Sequence, residues 1–546
     1  MRAPPDSGNG GYVSDLLAAQ IEGTAADSEY YSRPDNGVEY LDPTNVLVVI
    51  MNMRLSPQME VEFSAFLENY PKYAETTILD DLRATEYERL DRLGHVYLDF
   101  TGGGMYSSRQ LQQHFDRLKE NVFGNPHSNN PTSLAMTELV ERAREYVLEY
   151  FNASPDEYYA IFTPNASGAL KLVGESYPFG SDSRYLLTFD NHNSVNGIRE
   201  FARTKGAAIA YVPAILPAMH IDRSQLIANL EQAQQGENNL FAFPAQSNFS
   251  GVQYPLEMIA EAREFGWDVL LDAAAFVSTN LLDLSQWKPD FVAISFYKMF
   301  GYPTGVGCLL MRRPMLSKIK RPWFAGGTIQ IASVQGDGHY LVEGPAAFED
   351  GTVDYLNFPA VEVGLRHISN VGIDVIHERV HCLTGWLLDN LTQLIHDNGK
   401  PLVEIHGPVD MEDRGGTIAF NFFDVNGVCF DIRRIEDLAN AAMISLRAGC
   451  FCNPGAAEMA YGLSQPEIGA FFQDKRGMSF DELRSRIRTN YDKEYGATRI
   501  SVGLSSNFAD AFTFLQFAQG FKNKSIQDVG AYDAPIESSQ WMRDSA

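Results

Sequence analysis

The sequence predicts an α/β fold: a mainly parallel, seven-stranded sheet with helices on both faces, followed by a smaller C-terminal α/β domain. Three observations predict it. Apolar, β-branched or aromatic runs recur at Tyr159–Thr163, Tyr185–Phe189, Ala207–Val212, Leu240–Phe243, Asp268–Leu271, Phe291–Phe296 and Gly305–Met311. Helical stretches separate most of them, at Gly168–Ser176, Ser194–Lys205, Arg223–Gln232 and Leu256–Phe265. Strands that alternate with helices build parallel sheets covered on both sides. After Pro359 a long helical pattern runs through Ile395, and beyond it strands recur at Gly416–Phe422, Met443–Leu446 and Thr498–Gly503.

The chain of 546 residues is 45% hydrophobic and 21% charged, which suits a large core with a second, smaller domain. Residues 1–75 read as an N-terminal extension, partly disordered because its first 45 residues are rich in Gly, Pro, Ser, Asp and Asn. Gln58–Tyr70 is more helical in pattern and is expected to pack on the body. The large domain is expected over 76–360, the small domain over 361–530 and a loose tail over 531–546. A net charge of -27 argues against nucleic acid and against anionic membranes as partners. No apolar run has the length of a membrane span, and Val46–Met51 is too short for a secretory signal. Five cysteines do not make a disulfide framework in so long a chain, so the cytoplasm is the expected compartment. Cys308, Cys382 and Cys429 lie in apolar surroundings and read as small core residues, whereas Cys450 and Cys452 share one glycine-containing segment.

Ligands of open α/β sheets bind beyond the carboxyl ends of strands, so the polar residues there are the ones to weigh. Asp272 ends the run DVLLD, and Lys298 follows the next strand in SFYKMFG. Alone, the first reads as a helix cap and the second as a solvated lysine. Together, one strand and one connection apart, they are what pyridoxal phosphate requires: an amine for its aldehyde and a carboxylate for its pyridine nitrogen. In FTPNASGAL a strand turns into a helix at Asn165, Ala166 and Ser167, whose backbone N–H groups could hold a phosphate, although an ordinary N-cap looks the same. Ser295 could reach the same phosphate. His192 follows the strand Tyr185–Phe189 and reads either as a ring-stacking base or as a loop histidine. Asn248 follows another strand and could donate to the phenolic oxygen of the ring.

These segments, in this order, carry a resemblance. YLDFTGGG (97–104), FGNPHS (123–128), FTPNASGAL (162–170), FDNHNSV (189–195), LDAAAFV (271–277), SFYKMFGYPTGVG (295–307), FEDGTVDYL (348–356), LRAGCFCNPGA (446–456) and GATRISVG (496–503) resemble the pyridoxal-phosphate-dependent class V aminotransferases and cysteine desulfurases. The likeness is greatest to the N-terminal desulfurase domain of the molybdenum cofactor sulfurase branch. It implies the fold-type-I transferase architecture and a homodimer that takes sulfur from L-cysteine for an acceptor it does not name. By the resemblance Lys298 is the Schiff-base lysine, Asp272 the pyridine partner and His192 the stacking base. Ser167 and Ser295 are phosphate ligands, and Thr328 of AGGT reaches the phosphate of the neighbouring subunit. Arg447 holds the substrate carboxylate with Asn125 and His127 nearby, and Cys452 is the persulfide-forming nucleophile. Ala275 and Tyr297 stand where many desulfurases carry Gln and His; both changes recur in the sulfurase branch. Sulfurases of that branch continue into a second, cofactor-binding domain, and on length the 546 residues are not expected to include one. Another reaction on the same fold, by a C–S lyase, epimerase or aminotransferase, fits the same residues.

Overall fold

The computed structural model describes residues 57–530 and 532, apart from 127, 235 and 474–476. The extension before Pro57, His127 and the tail after residue 532 therefore lie outside the described residues. Each of the seven predicted runs becomes a strand of one sheet, shifted by no more than two residues at an end. Across the sheet the order is Tyr158–Thr163, Gly307–Arg312, Phe291–Ser295, Asp268–Asp272, Leu240–Pro244, Arg184–Thr188 and Ala208–Val212. Gly307–Arg312 runs antiparallel to both neighbours, pairing Gly307 with Thr163 on one side and Ser295 on the other. The other pairings are parallel. Leu240–Pro244 and Phe291–Ser295 are buried along their whole length, which is why they read as unbroken apolar runs rather than alternating ones.

The helices follow from caps and breaks. Asn165 caps the helix Ala166–Ser176 by accepting from Gly168 N at 2.9 Å. The helix predicted over Ser194–Lys205 is two short ones, Asn193–Asn196 and Ile198–Thr204, that meet at Gly197. The long pattern after Pro359 is likewise two helices, Phe358–Val371 and Ile373–Leu391, divided by Gly372 at φ 93. A residue with a Cβ would be strained there.

A second, four-stranded antiparallel sheet has the order Val403–His406, Thr417–Phe422, Ala497–Ser501 and Arg447–Gly449. The predicted run Met443–Leu446 does not join it. Only Ile444–Ser445 is extended, and it pairs in parallel with Val96–Tyr97. Residues 57–75 of the predicted extension form the helix Pro57–Asn69 and a 3-10 turn Pro71–Thr76. Phe66 is fully buried among Tyr73, Trp386 and Phe508. No helix among the described residues is long and apolar enough to cross a membrane.

Burial of charge ties the helix Ile78–Glu86 to the body. Arg83 donates to Asp510 through two nitrogens, at 2.5 and 3.1 Å, and both side chains are almost wholly inaccessible. A buried carboxylate stripped of its partner costs several kcal/mol. Arg83→Met is therefore expected to lower unfolding stability by about 3–5 kcal/mol in denaturant titrations. A change below about 1 kcal/mol would show that the pair stabilises no more than an exposed one.

Candidate active site

The carboxyl ends of the parallel strands open into one cavity of about 320 Å³, in the range of small-molecule sites. Lys298, on the short helix Phe296–Phe300 after the strand Phe291–Ser295, lines it. So do Asp272, His192, Asn248 and the Asn165–Ser167 turn, each supplied by a different strand end. Ser295 lines it as well, so the structure brings eight of the predicted residues together. Gln246, Thr304 and Gly305 share the wall and were not singled out from the sequence.

The local chemistry separates their roles. Burial pushes the Lys298 ammonium below its ordinary range of about 10.5, and the Asp272 carboxylate only partly opposes this. Burial thus shifts the amine toward its neutral, nucleophilic form. Asp272 Oδ1 also accepts from Ala274 N at 3.1 Å, which fixes the carboxylate at the strand end. His192 Nδ1 accepts from Ser194 N at 3.1 Å, which puts the ring proton on Nε2. Burial lowers the His192 pKa, so the ring is held neutral. At the helix start, Ser295 Oγ accepts from Ala166 N at 3.2 Å, and the Ser167 and Ser194 hydroxyls share a 2.6 Å hydrogen bond. Gly104 lets the preceding loop cross the Lys298 helix, because a Cβ there would meet Lys298 O at 2.8 Å.

Cys452 is exposed on a loop bound to this wall by its backbone. Asn193 N, next to His192, donates to Cys452 O at 2.7 Å. Asn248 Nδ2 donates to Phe451 O at 2.7 Å, so the amide expected at the ring's phenolic oxygen also holds the loop. Asn453 donates to Asp190 Oδ1, and to Asn248 Oδ1 at 3.0 Å. Asp190 is fully buried and accepts further bonds from Ser247 and Tyr254; burial raises its pKa against all three donors. Phe451 and Cys452 both adopt φ of 55, a left-handed conformation that costs a non-glycine residue about 1–2 kcal/mol. Gly455 allows the loop to return past Phe189 O, which a Cβ would approach to 2.0 Å.

Arg447 does not line the cavity. It donates through Nε and Nη2 to Asp99, with Nη2 to Oδ2 at 2.6 Å, and is about half exposed. Arg499 is buried and donates to Asp99 Oδ1 at 2.9 Å and to Asn248 O at 2.8 Å. Two guanidiniums face one carboxylate, which leaves a net positive charge next to the cavity. Asp99 and Arg499 were quoted within YLDFTGGG and GATRISVG without a role; a charged residue inside a strand otherwise buried was the signal that could have found Arg499. Thr328 is not at the cavity: its Oγ1 closes a turn with Ala325 O at 2.9 Å. Asn125 lies elsewhere too, 3.5 Å from the Thr352 hydroxyl.

The asparagine clamps should govern the mobility of the cysteine loop. Asn453→Ala is expected to speed amide hydrogen exchange at residues 450–453 by about tenfold, the equivalent of one hydrogen bond, and to leave exchange in the helix Ala166–Ser176 unchanged. Unaltered exchange in the loop would mean that the Asp190 contact does not restrain it.

The chain is 37% identical to a molybdenum cofactor sulfurase of Solanum lycopersicum, aligned over 84% of this chain and 60% of that protein. It is 35% identical to the molybdenum cofactor sulfurase of Homo sapiens, over 80% of this chain and 51% of that protein. The chain thus spans between half and about three fifths of the length of these relatives. Among solved structures, a cysteine desulfurase of Thermococcus onnurineus NA1 superposes with a TM-score of 0.66 at 22% identity, covering 81% of this chain and 97% of that one. A cysteine desulfurase of Escherichia coli gives 0.63 at 19%, covering 81% and 98%. A family model described as aminotransferase class-V matches residues 96–465, from the strand before Asp99 to beyond the Cys452 loop. The chain belongs to the aminotransferase class-V family.

Proposed function

We propose that the protein is a pyridoxal-phosphate-dependent cysteine desulfurase of the molybdenum cofactor sulfurase type, which moves sulfur from L-cysteine to Cys452 and releases alanine. One observation carries the reading. A buried amine and a carboxylate share a cavity closed by a helix N-terminus, and an exposed thiol sits on a loop bonded to the cavity wall.

The donor set fits the cofactor: an amine for the aldehyde, an acid for the ring nitrogen, and hydroxyls with a helix start for the phosphate. Ser167, Ser295 and the Asn165–Ala166 backbone would hold the phosphate, Asp272 the ring nitrogen and Lys298 the aldehyde carbon. When bound, pyridoxal phosphate accepts the electron pair released at the substrate's Cα. Lys298 Nζ, with its lowered pKa, is the base that takes the Cα proton. The net positive charge of Arg447, Arg499 and Asp99 draws in the substrate carboxylate. Cys452 Sγ then attacks the substrate sulfur. The Cβ–S bond breaks as an S–S bond forms, so L-cysteine and one thiol become alanine and one persulfide, with no external oxidant. The physiological sulfur acceptor is left open.

A homodimer belongs to the same proposal. The hairpin Ile329–Ser333 and Gly338–Leu341 follows Thr328 directly and exposes Ile331, Val334 and Tyr340, while the exposed Phe324 ring lies against His339 of the hairpin. Such an apolar patch marks an interface. All five cysteines are free, which agrees with a reducing cytoplasm.

Purified protein given pyridoxal phosphate and L-cysteine is expected to yield alanine and a trappable persulfide in equal amounts. Lys298→Ala should lose borohydride-stable attachment of the cofactor and at least about 100-fold of the rate. Cys452→Ser should keep the cofactor absorbance and form no persulfide. Wild-type sulfur transfer by Cys452→Ser would refute the role of that cysteine. Sulfide, pyruvate and ammonia in place of alanine would replace the reading with that of a C–S lyase.

A further inference from the structure

The run His377-Glu378-Arg379-Val380-His381-Cys382 lies on the helix Ile373–Leu391, and none of it lines the active-site cavity. Residues three and four apart share a helix face. Glu378, His381 and Cys382 meet that condition, and one ligand atom from each lies within 4.8 Å of the others. The Cys382 thiol donates to Glu378 Oε1 across 3.5 Å. A tetrahedral centre with sulfur at about 2.3 Å and oxygen at about 2.1 Å separates those two atoms by about 3.6 Å. A cation could therefore take the place of the bridging proton with little movement.

We propose that Glu378, His381 and Cys382 bind a divalent transition metal of the zinc class, with water in the fourth position. One thiolate, one imidazole and one carboxylate suit zinc or cobalt rather than calcium or magnesium. As the metal–sulfur bond forms, the Cys382 S–H bond breaks and its proton passes to water. The helix is already fixed around the cluster. Arg379, between the ligands in sequence, is fully buried and donates to Asp80 Oδ1 at 2.8 Å and to Thr76 Oγ1 at 2.7 Å. Tyr70 packs so closely on the next turn that a Cβ on Gly385 would come within 2.8 Å of its ring. Lys72 reaches Glu378 at 3.4 Å, but on Oε2, and its own side chain is largely exposed. Such a contact is weak and yields readily. His377 and His381 have the spacing of a zinc-peptidase ligand pair around a glutamate base. Here His377 turns to Asn280 Oδ1, 3.0 Å away, and stays outside the cluster, so the set is a metal cradle on one helix rather than a peptidase centre.

The test uses the full chain carrying Cys450→Ser and Cys452→Ser, to remove the loop thiols. It is freed of metal with a chelator and titrated with Co2+. One equivalent is expected to bind, with a thiolate-to-cobalt charge-transfer band in the difference spectrum that Zn2+ abolishes. Adding Cys382→Ser should remove the band. His381→Ala and Glu378→Gln should each weaken binding by at least about tenfold. Circular dichroism identifies any variant that fails to fold, and the remaining two then carry the test. No band in the parent, or a band that persists unchanged through the folded variants, overturns the proposal.

Discussion

The carboxylate of Asp99 is the constraint on which the site rests. Arg447 and Arg499 are directly opposed on neighbouring antiparallel strands, an arrangement that like charges alone would disfavour. Asp99 reaches both from the segment after Val96–Tyr97, and Gly102 leaves it room: a Cβ there would meet Asp99 Oδ2 at 2.4 Å and Arg447 Nη2 at 2.5 Å. With its charge answered, Arg499 is tolerated in the interior, where burial still lowers its pKa. Its other arm bonds Asn248 O, so the small sheet, the first glycine-rich loop and the cavity wall are drawn onto one point.

The cysteine loop is the second expression of that arrangement. Its two left-handed residues are unfavourable in isolation, and the bonds that stabilise them come from Asn193 and Asn248, a neighbour and a member of the cavity wall. Arg499 also lies over the Phe451 ring, 4.7 Å from its centroid. The thiol is consequently presented by a backbone whose conformation is referred to the cavity rather than to the loop's own sequence. A shift of Asn248 or of the His192 turn passes to Cys452 through single hydrogen bonds.

Much of this was legible in the sequence, for a physical reason. Strands covered on both faces leave continuous apolar runs, and residues just past their carboxyl ends are placed by topology alone; Lys298, Asp272 and His192 were found in this way. What the sequence hid depends on distant partners. Nothing near Asp190 announces that its acceptor belongs to Asn453, and Asp99 and Arg499 are paired across most of the chain. Val403–His406 escaped notice because it is short and carries Glu404 and His406.

The antiparallel strand Gly307–Arg312 has a consequence for how the family can vary in length. It is hydrogen-bonded on both sides, and its first residue opposes Ser295 and Thr163. A Cβ on Gly307 would collide with the Asn165 backbone, so this residue seats the turn that starts the next helix. A one-residue deletion within this strand would exchange its two faces and pull Thr304 and Gly305 off the cavity rim. The exposed hairpin at 329–341 has no such double pairing and already contains a bulge, so its backbone absorbs a change of length that this strand does not.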